Sequence, residues 1–64
     1  MNNRDRLIEL LTEHELERRE VAELLKVKTD KVDHWLASHE SHYYEDMPDM
    51  AMELLEIKLG AKKP

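Results

Sequence analysis

A connection of only three residues separates two stretches that carry the apolar spacing of a helix. The first covers about residues 17–26 and the second about residues 29–38, and only Lys26, Val27 and Lys28 lie between Leu25, the last apolar residue of the first, and the start of the second. Three residues are too few for anything except a tight turn between helices. The sequence therefore predicts a pair of helices that cross steeply.

Two further helical stretches flank this pair. One covers about residues 3–14, and the other covers about residues 47–59, with Asp46 as its expected cap, Pro48 in its first turn and Gly60 as its natural stop. The composition, with one glycine, two prolines and 39% charged residues, favours helices joined by short turns over sheets. We therefore predict an all-α fold, in which the whole chain forms one compact four-helix domain.

The chain is short for a stable monomer. A domain of 64 residues buries only about 60% of the surface that its unfolded form exposes, and the absence of cysteine excludes disulfides and a cysteine-based zinc site. Self-association is the leading remedy that remains. No apolar run approaches the roughly 18 residues that span a bilayer, and no signal-like segment follows the polar start, so we expect a cytoplasmic protein. Residues 61–64 are expected to fray.

Charge is unevenly distributed along the chain. The formal net charge of −5 argues against an indiscriminate nucleic-acid binder. Between residues 18 and 31, however, there are five basic residues against three acids, whereas residues 38–59 contain six acids and only one basic residue, Lys58. The locally basic middle of the chain could still present one surface to phosphates.

The apolar positions of the helical pair follow a spacing that is found in DNA-binding proteins. In order, they are Val21, Ala22, Leu25, Val27, Val32 and Trp35. The small Ala22 stands where one helix must approach the other, and the whole pattern resembles the helix-turn-helix of Cro and C1-type phage repressors. Two positions depart from that family: Lys26 replaces the usual glycine of the turn, and Lys28 replaces the usual serine or threonine that opens the recognition helix. A lysine in a left-handed conformation costs roughly 1 kcal/mol relative to glycine.

The resemblance implies that the third helix enters the major groove of DNA. The DNA-binding residues that it implies are Arg18, Arg19, Lys28, Thr29, Asp30, Lys31, Asp33 and His34. The two arginines would contact phosphates, and the third helix would read base edges, where lysine suits guanine, aspartate the amino group of cytosine, and threonine the methyl group of thymine. The two aspartates would repel phosphates, so they are expected either to read bases or to pair with Lys31. The alternative interpretation is a solvated charged face of a helical bundle.

The fourth predicted helix carries apolar residues over an arc of about 220°, whereas one buried stripe needs little more than about 100°. The half expected to cover the core comprises Met50, Ala51, Leu54 and Ile57. The half expected to be exposed in a monomer, and to form a dimer interface, comprises Met52, Leu55 and Leu59. Two recognition helices about one DNA turn apart, ~34 Å, would then read a palindromic operator. The alternative is that the first helix covers both halves.

The order of elements over residues 7–59 is more loosely similar to the small anti-CRISPR-associated regulators of phages. The likeness comprises a short N-terminal helix, the helix-turn-helix, a linker with Tyr43 and Tyr44, and an apolar helix that starts at a proline. It implies a dimeric repressor that binds an inverted repeat in the promoter of its own phage or mobile-element operon. Either tyrosine could donate to phosphates, but at least one of them is expected to pack in the core beneath the linker.

The sequence predicts neither catalysis nor a cofactor. His34, His39 and His42 lie close together but lack the spacing of the zinc-protease motif, so no metal site is expected, and nothing resembles a nucleophile with its base. The resulting hypothesis is a homodimeric DNA-binding repressor. One alternative is an antitoxin-like or inhibitory protein-interaction module, and the other is an excisionase-like architectural DNA binder, against which the absence of a wing sequence after Trp35 counts.

Overall fold

The computed structural model describes residues 2–60, which form four α-helices and no strand. The helices are α1 (Asn3–Glu13), α2 (Arg18–Leu25), α3 (Thr29–Leu36) and α4 (Asp49–Gly60). The predicted all-α, four-helix fold is therefore confirmed, and each helix bound lies within two residues of the expected one. The segment 61–64, for which fraying is expected, lies outside the described residues.

Side chains near the helix starts explain two of the boundaries. The Asn2 side chain accepts a hydrogen bond from the Asp5 N–H at 2.9 Å and caps α1. At α2, the Glu20 carboxylate accepts from the Glu17 N–H at 2.8 Å, which is the contact that the spacing of these two glutamates predicts. Both starts are thus fixed by neighbours in sequence.

The start of α4 differs from the expectation. The sequence predicts Asp46 as its cap, but the first helical hydrogen bonds run from the N–H groups of Ala51 and Met52 to the carbonyl of Pro48, at 3.0 and 3.1 Å. The Asp46 carboxylate instead accepts from the Tyr44 hydroxyl at 2.7 Å. The prediction of Asp46 as the cap is therefore wrong, because this side chain is engaged within the linker.

One hydrophobic core lies between the four helices. Its buried members are Leu7, Leu10, Val21, Ala22, Leu25, Val32, Trp35, Met47, Met52, Leu55 and Leu59. Both α3 and α4 pack against α1 and α2. The expected core position of Trp35 is confirmed, and its indole Nε1 has no hydrogen-bond partner within residues 2–60.

The two apolar faces of α4 are reversed relative to the expectation. The residues predicted to form an exposed interface, which are Met52, Leu55 and Leu59, are buried in the core of their own chain. Three residues predicted to cover the core are exposed instead, namely Met50, Leu54 and Ile57. The prediction of an interface at Met52, Leu55 and Leu59 is therefore wrong, since the monomer already uses these side chains.

Polar contacts from α1 accompany this rotation of α4 about its own axis. The Asn3 side-chain amide donates to the Met47 carbonyl and to the Asp49 carboxylate, both at 2.8 Å. Further along, Arg6 Nε lies 3.2 Å from Glu56 Oε1. The arc of apolar residues gives only the width of the apolar surface, whereas packing against α1 and α2 decides which half of it faces the core.

The linker between α3 and α4, residues 37–48, folds back on α3. The Glu45 N–H donates to the His34 carbonyl at 3.1 Å, close to the end of that helix. Tyr43 is 72% exposed and Tyr44 is half-buried, so neither belongs to the buried core. The expectation that one of them packs in the core is wrong, because the linker lies against the outer side of α3.

Candidate nucleic-acid interface

The turn between α2 and α3 contains the left-handed residue that its pattern predicts. Lys26 has φ 60° and ψ 41°. The Val27 N–H donates to the Ala22 carbonyl at 3.0 Å and the Lys26 N–H donates to the Glu23 carbonyl at 3.4 Å, which is the double hydrogen bond of a Schellman helix end. Lys26 therefore adopts the conformation for which Cro and C1-type repressors use glycine.

Apolar contacts hold α2 and α3 together as one unit. Ala22 is buried, and its small side chain permits the close approach of the two helices. Leu25 and Val32 are buried beside it, while Val27 in the turn is partly buried and packs on the core. Each apolar position in the helix-turn-helix pattern thus faces inward, and the N-terminal turn of α3 is left to solvent.

The N-terminal part of α3 is open. Lys28, Thr29 and Asp30 are exposed, and their side chains form no hydrogen bond or ion pair with any residue between 2 and 60. An eight-residue helix such as α3 is about 12 Å long. This end of α3 can therefore be approached by a ligand without breaking any contact of the described side chains.

The other predicted contact residues already contact an oppositely charged group or, for His34, a carboxylate. Arg18 Nη1 donates to Asp33 Oδ1 at 2.9 Å, which joins α2 to α3. Arg19 Nη2 donates to Glu17 Oε2 at 3.0 Å. An expected phosphate ligand and an expected base-reading residue thus bind each other, and the aspartate pairs with Arg18 rather than with Lys31.

Glu45 is a residue of the site that sequence reasoning misses. Its Oε1 accepts from Lys31 Nζ at 2.7 Å, and its Oε2 lies 2.9 Å from His34 Nδ1. The hydrogen bond from Lys31, followed by the contact with His34, holds the pKa of the Glu45 carboxyl below its usual value. These partners are 14 and 11 residues away in sequence, so no short-range spacing signals the contact.

Arg4 is a second residue that the sequence does not single out. Its Nε donates to the Ala37 carbonyl at 2.9 Å and lies 3.4 Å from the Leu36 carbonyl. These carbonyls belong to the C-terminal end of α3, where backbone acceptors lack helical partners. Arg4 therefore fixes the end of α3 that lies farthest from the open N-terminal turn.

The ion pairs around α3 are exposed and therefore exchangeable. Side-chain exposure is 55% for Arg18 and 43% for Asp33, and the pair of Lys31 with Glu45 is similar. Exposed pairs of this kind contribute roughly 0–1 kcal/mol. An incoming phosphate can thus replace the carboxylate at little cost to the fold.

The histidines do not form a metal site within residues 2–60, where no group of three or more His, Cys, Asp or Glu side chains is placed to hold an ion. The His39 ring instead packs edge-on against Tyr44, with centroids 4.5 Å apart.

Within residues 2–60, no helix has both the length and the apolar character that crossing a bilayer requires.

Comparison of the chain with family models, curated proteins and solved structures found no match. The resemblance to Cro and C1-type repressors therefore rests on the residues and geometry of α2, the turn and α3.

Proposed function

We propose that this chain is a sequence-specific DNA-binding protein that represses transcription as a homodimer on an inverted-repeat operator. The observation that carries the proposal is the unit of α2 and α3, in which Lys26 is left-handed, Ala22 is buried, and the N-terminal turn of α3 is open. The major groove of B-DNA is about 12 Å wide and admits one helix. This unit has the form required for α3 to enter the groove while α2 lies across the backbone.

The first turn of α2 supplies the phosphate contacts in this proposal. Arg18 and Arg19 are exposed there, and each holds a carboxylate that a phosphate can replace. Each phosphate neutralised by the protein steepens the salt dependence of binding by about 0.9 in the log–log slope. Binding is therefore expected to weaken strongly between low and physiological salt.

The open turn of α3 supplies the base contacts. Lys28 can donate to the O6 and N7 acceptors of guanine, Thr29 can contact the methyl group of thymine, and Asp30 can accept from the amino group of cytosine. Asp33 becomes available for the same role when Arg18 moves to a phosphate. His34 and Lys31 lie on the side of α3 that Glu45 covers, so they read bases only if that contact opens.

Selection of bound fragments from random double-stranded DNA tests the proposal. The chain should enrich an inverted repeat, and the spacing of the half-sites reports the separation of the two α3 helices in the complex. Enrichment of a single half-site would contradict the homodimer, and retention of no fragment at low salt would refute DNA binding.

Two arginines provide a matched pair of variants. Arg19→Ala should weaken binding to all sequences and lower the salt slope by about 1. Arg6→Ala removes the same charge from a residue of α1 that pairs with glutamates of α1 and α4. This substitution should leave DNA binding unchanged. Equal effects of the two substitutions would show that only the net charge matters and that α2 does not face the DNA.

A second candidate function is a protein-interaction module. The observation in its favour is the acidity of the linker and α4, because residues 38–59 contain six acids and only one basic residue, Lys58. Such a module would bind a basic protein surface through the linker and α4 and would retain no DNA fragment at low salt. The selection described above therefore separates the two functions.

A further inference from the structure

Three apolar side chains are exposed in a line along α4. Met50 is 80% exposed, Leu54 41% and Ile57 67%. They follow one another at intervals of four and three residues, on the side of α4 opposite the buried Leu55. We call Met50, Leu54 and Ile57 the α4 stripe. Contiguous exposed apolar patches are often interaction sites.

The spacing of the α4 stripe is that of a coiled-coil seam. Intervals of four and three residues place Leu54 at an a position and the other two at d positions of a heptad. Glu53 and Lys58 then occupy the flanking g and e positions, on opposite sides of the seam. Neither of them belongs to an ion pair within residues 2–60.

We propose that the α4 stripe packs against the α4 stripe of a second copy of this chain, with the two helices parallel. In a parallel pair, a g residue faces the e residue five positions further along the partner helix. Glu53 therefore faces Lys58 of the second copy, and the two-fold symmetry repeats this pair on the other side. An antiparallel pair places g beside g and e beside e, which would leave both charges without an opposite partner.

The inference deepens the proposed function, on which it rests, by naming the surface that joins two copies. The pairing leaves both α3 helices open, because α3 packs chiefly against α1 and α2 rather than against α4. A stable interface buries about 800 Å² per partner, and a stripe of three side chains supplies less than that. The free protein is therefore a weak, reversible dimer, which binding to DNA would strengthen through mass action.

Disulfide crosslinking tests the pairing and its direction. The chain has no cysteine, so single substitutions give unambiguous products. In a parallel pair, each of the variants Met50→Cys, Leu54→Cys and Ile57→Cys forms a disulfide-linked dimer with a second copy of itself. A mixture of Met50→Cys and Ile57→Cys gives no dimer that joins position 50 to position 57. A dimer that joins position 50 to position 57, in the absence of dimers of Met50→Cys or of Ile57→Cys with themselves, would overturn the parallel arrangement. Ile8→Cys is the matched control, since Ile8 on α1 is 40% exposed and should not crosslink.

Sedimentation equilibrium tests the same pairing without a crosslink. Leu54→Asp should be monomeric at concentrations where the unaltered chain dimerises, whereas Ile8→Asp, at equal exposure, should not change the dissociation constant. Glu53→Lys and Lys58→Glu should each weaken the dimer roughly 3- to 10-fold, and the double variant should restore it. A chain that stays monomeric throughout, or a double variant no tighter than the single ones, would overturn the inference.

These outcomes are separable from those of the proposed function. Dimers that crosslink through α4 but retain no DNA would refute the DNA-binding proposal and leave the pairing intact. A Leu54→Asp monomer that still retains DNA, combined with cysteine variants of the α4 stripe that form no crosslink, would refute the pairing and leave DNA binding intact.

Discussion

Replacing Lys26 by glycine tests the turn on which the helix-turn-helix assignment depends. At φ 60° and ψ 41°, a residue with a Cβ atom is disfavoured by roughly 1–2 kcal/mol. Glycine avoids that cost but loses about 0.5–1 kcal/mol more backbone entropy on folding. The lysine side chain is exposed and belongs to no ion pair within residues 2–60, so little is lost with it. The expected net gain is about 0.5–1 kcal/mol in the free energy of unfolding.

Thermal and urea denaturation of the monomer measure this gain. For a domain of this size, about 1 kcal/mol corresponds to roughly 4–8 °C in Tm, so a rise of about 2–8 °C is expected. Lys26→Ala is the necessary control, because it removes the charge but retains the Cβ atom and should bring no gain. Lys28→Gly is a second control, since Lys28 has φ −75° and ψ 150°, where glycine offers no relief.

Equal stability of the glycine and alanine variants at position 26 would refute the reasoning. The Cβ atom would then be shown to cause no strain, and the backbone of the turn would not be left-handed at this residue. The positioning of α3 against α2 would lose its main support, and with it the resemblance to the repressors.

Three further predictions concern the linker, α4 and α3. Lys31→Gln removes the main cause of the lowered pKa of Glu45, so the pKa of Glu45 should rise in a carbon-13 NMR titration. In the unaltered chain, the stability from this contact is present above about pH 4.5, the usual pKa of a glutamate. It is lost as the pH falls through the lower pKa of the folded state. Leu55→Ala should cost about 2–5 kcal/mol in urea denaturation and Met50→Ala less than about 0.5 kcal/mol, and equal costs would contradict the orientation of α4. Asp33→Ala should raise general affinity for DNA by freeing its arginine partner while changing the preference at one base pair by about 1–3 kcal/mol, and an unchanged preference would show that the register of α3 is wrong.

Local patterns suffice to predict the helices and the turn. The left-handed Lys26 follows from apolar positions within a few residues of it, and the start of α2 follows from Glu17 and Glu20. In both cases the contacts that decide the conformation lie within one or two helical turns. Sequence spacing therefore contains the needed information.

The rotation of α4 could not be predicted in this way. It depends on packing against α1 and α2, which lie far away in sequence, and an apolar arc that wraps most of a helix fits either rotation. The candidate site shows the same limit. Its residue types could be identified from the pattern, whereas the pairing of Arg18 with Asp33, 15 residues apart, required the packed structure.

The contact between Arg18 and Asp33 has a consequence for selectivity. Under the proposed function, a DNA phosphate must displace Asp33 before it can bind Arg18, whatever the base sequence of the duplex. Only a site that offers Asp33 a replacement donor, such as the amino group of cytosine, compensates for the loss. Part of the discrimination at this base pair would then come from penalising wrong sequences, which suits an acidic protein that must ignore most of a genome.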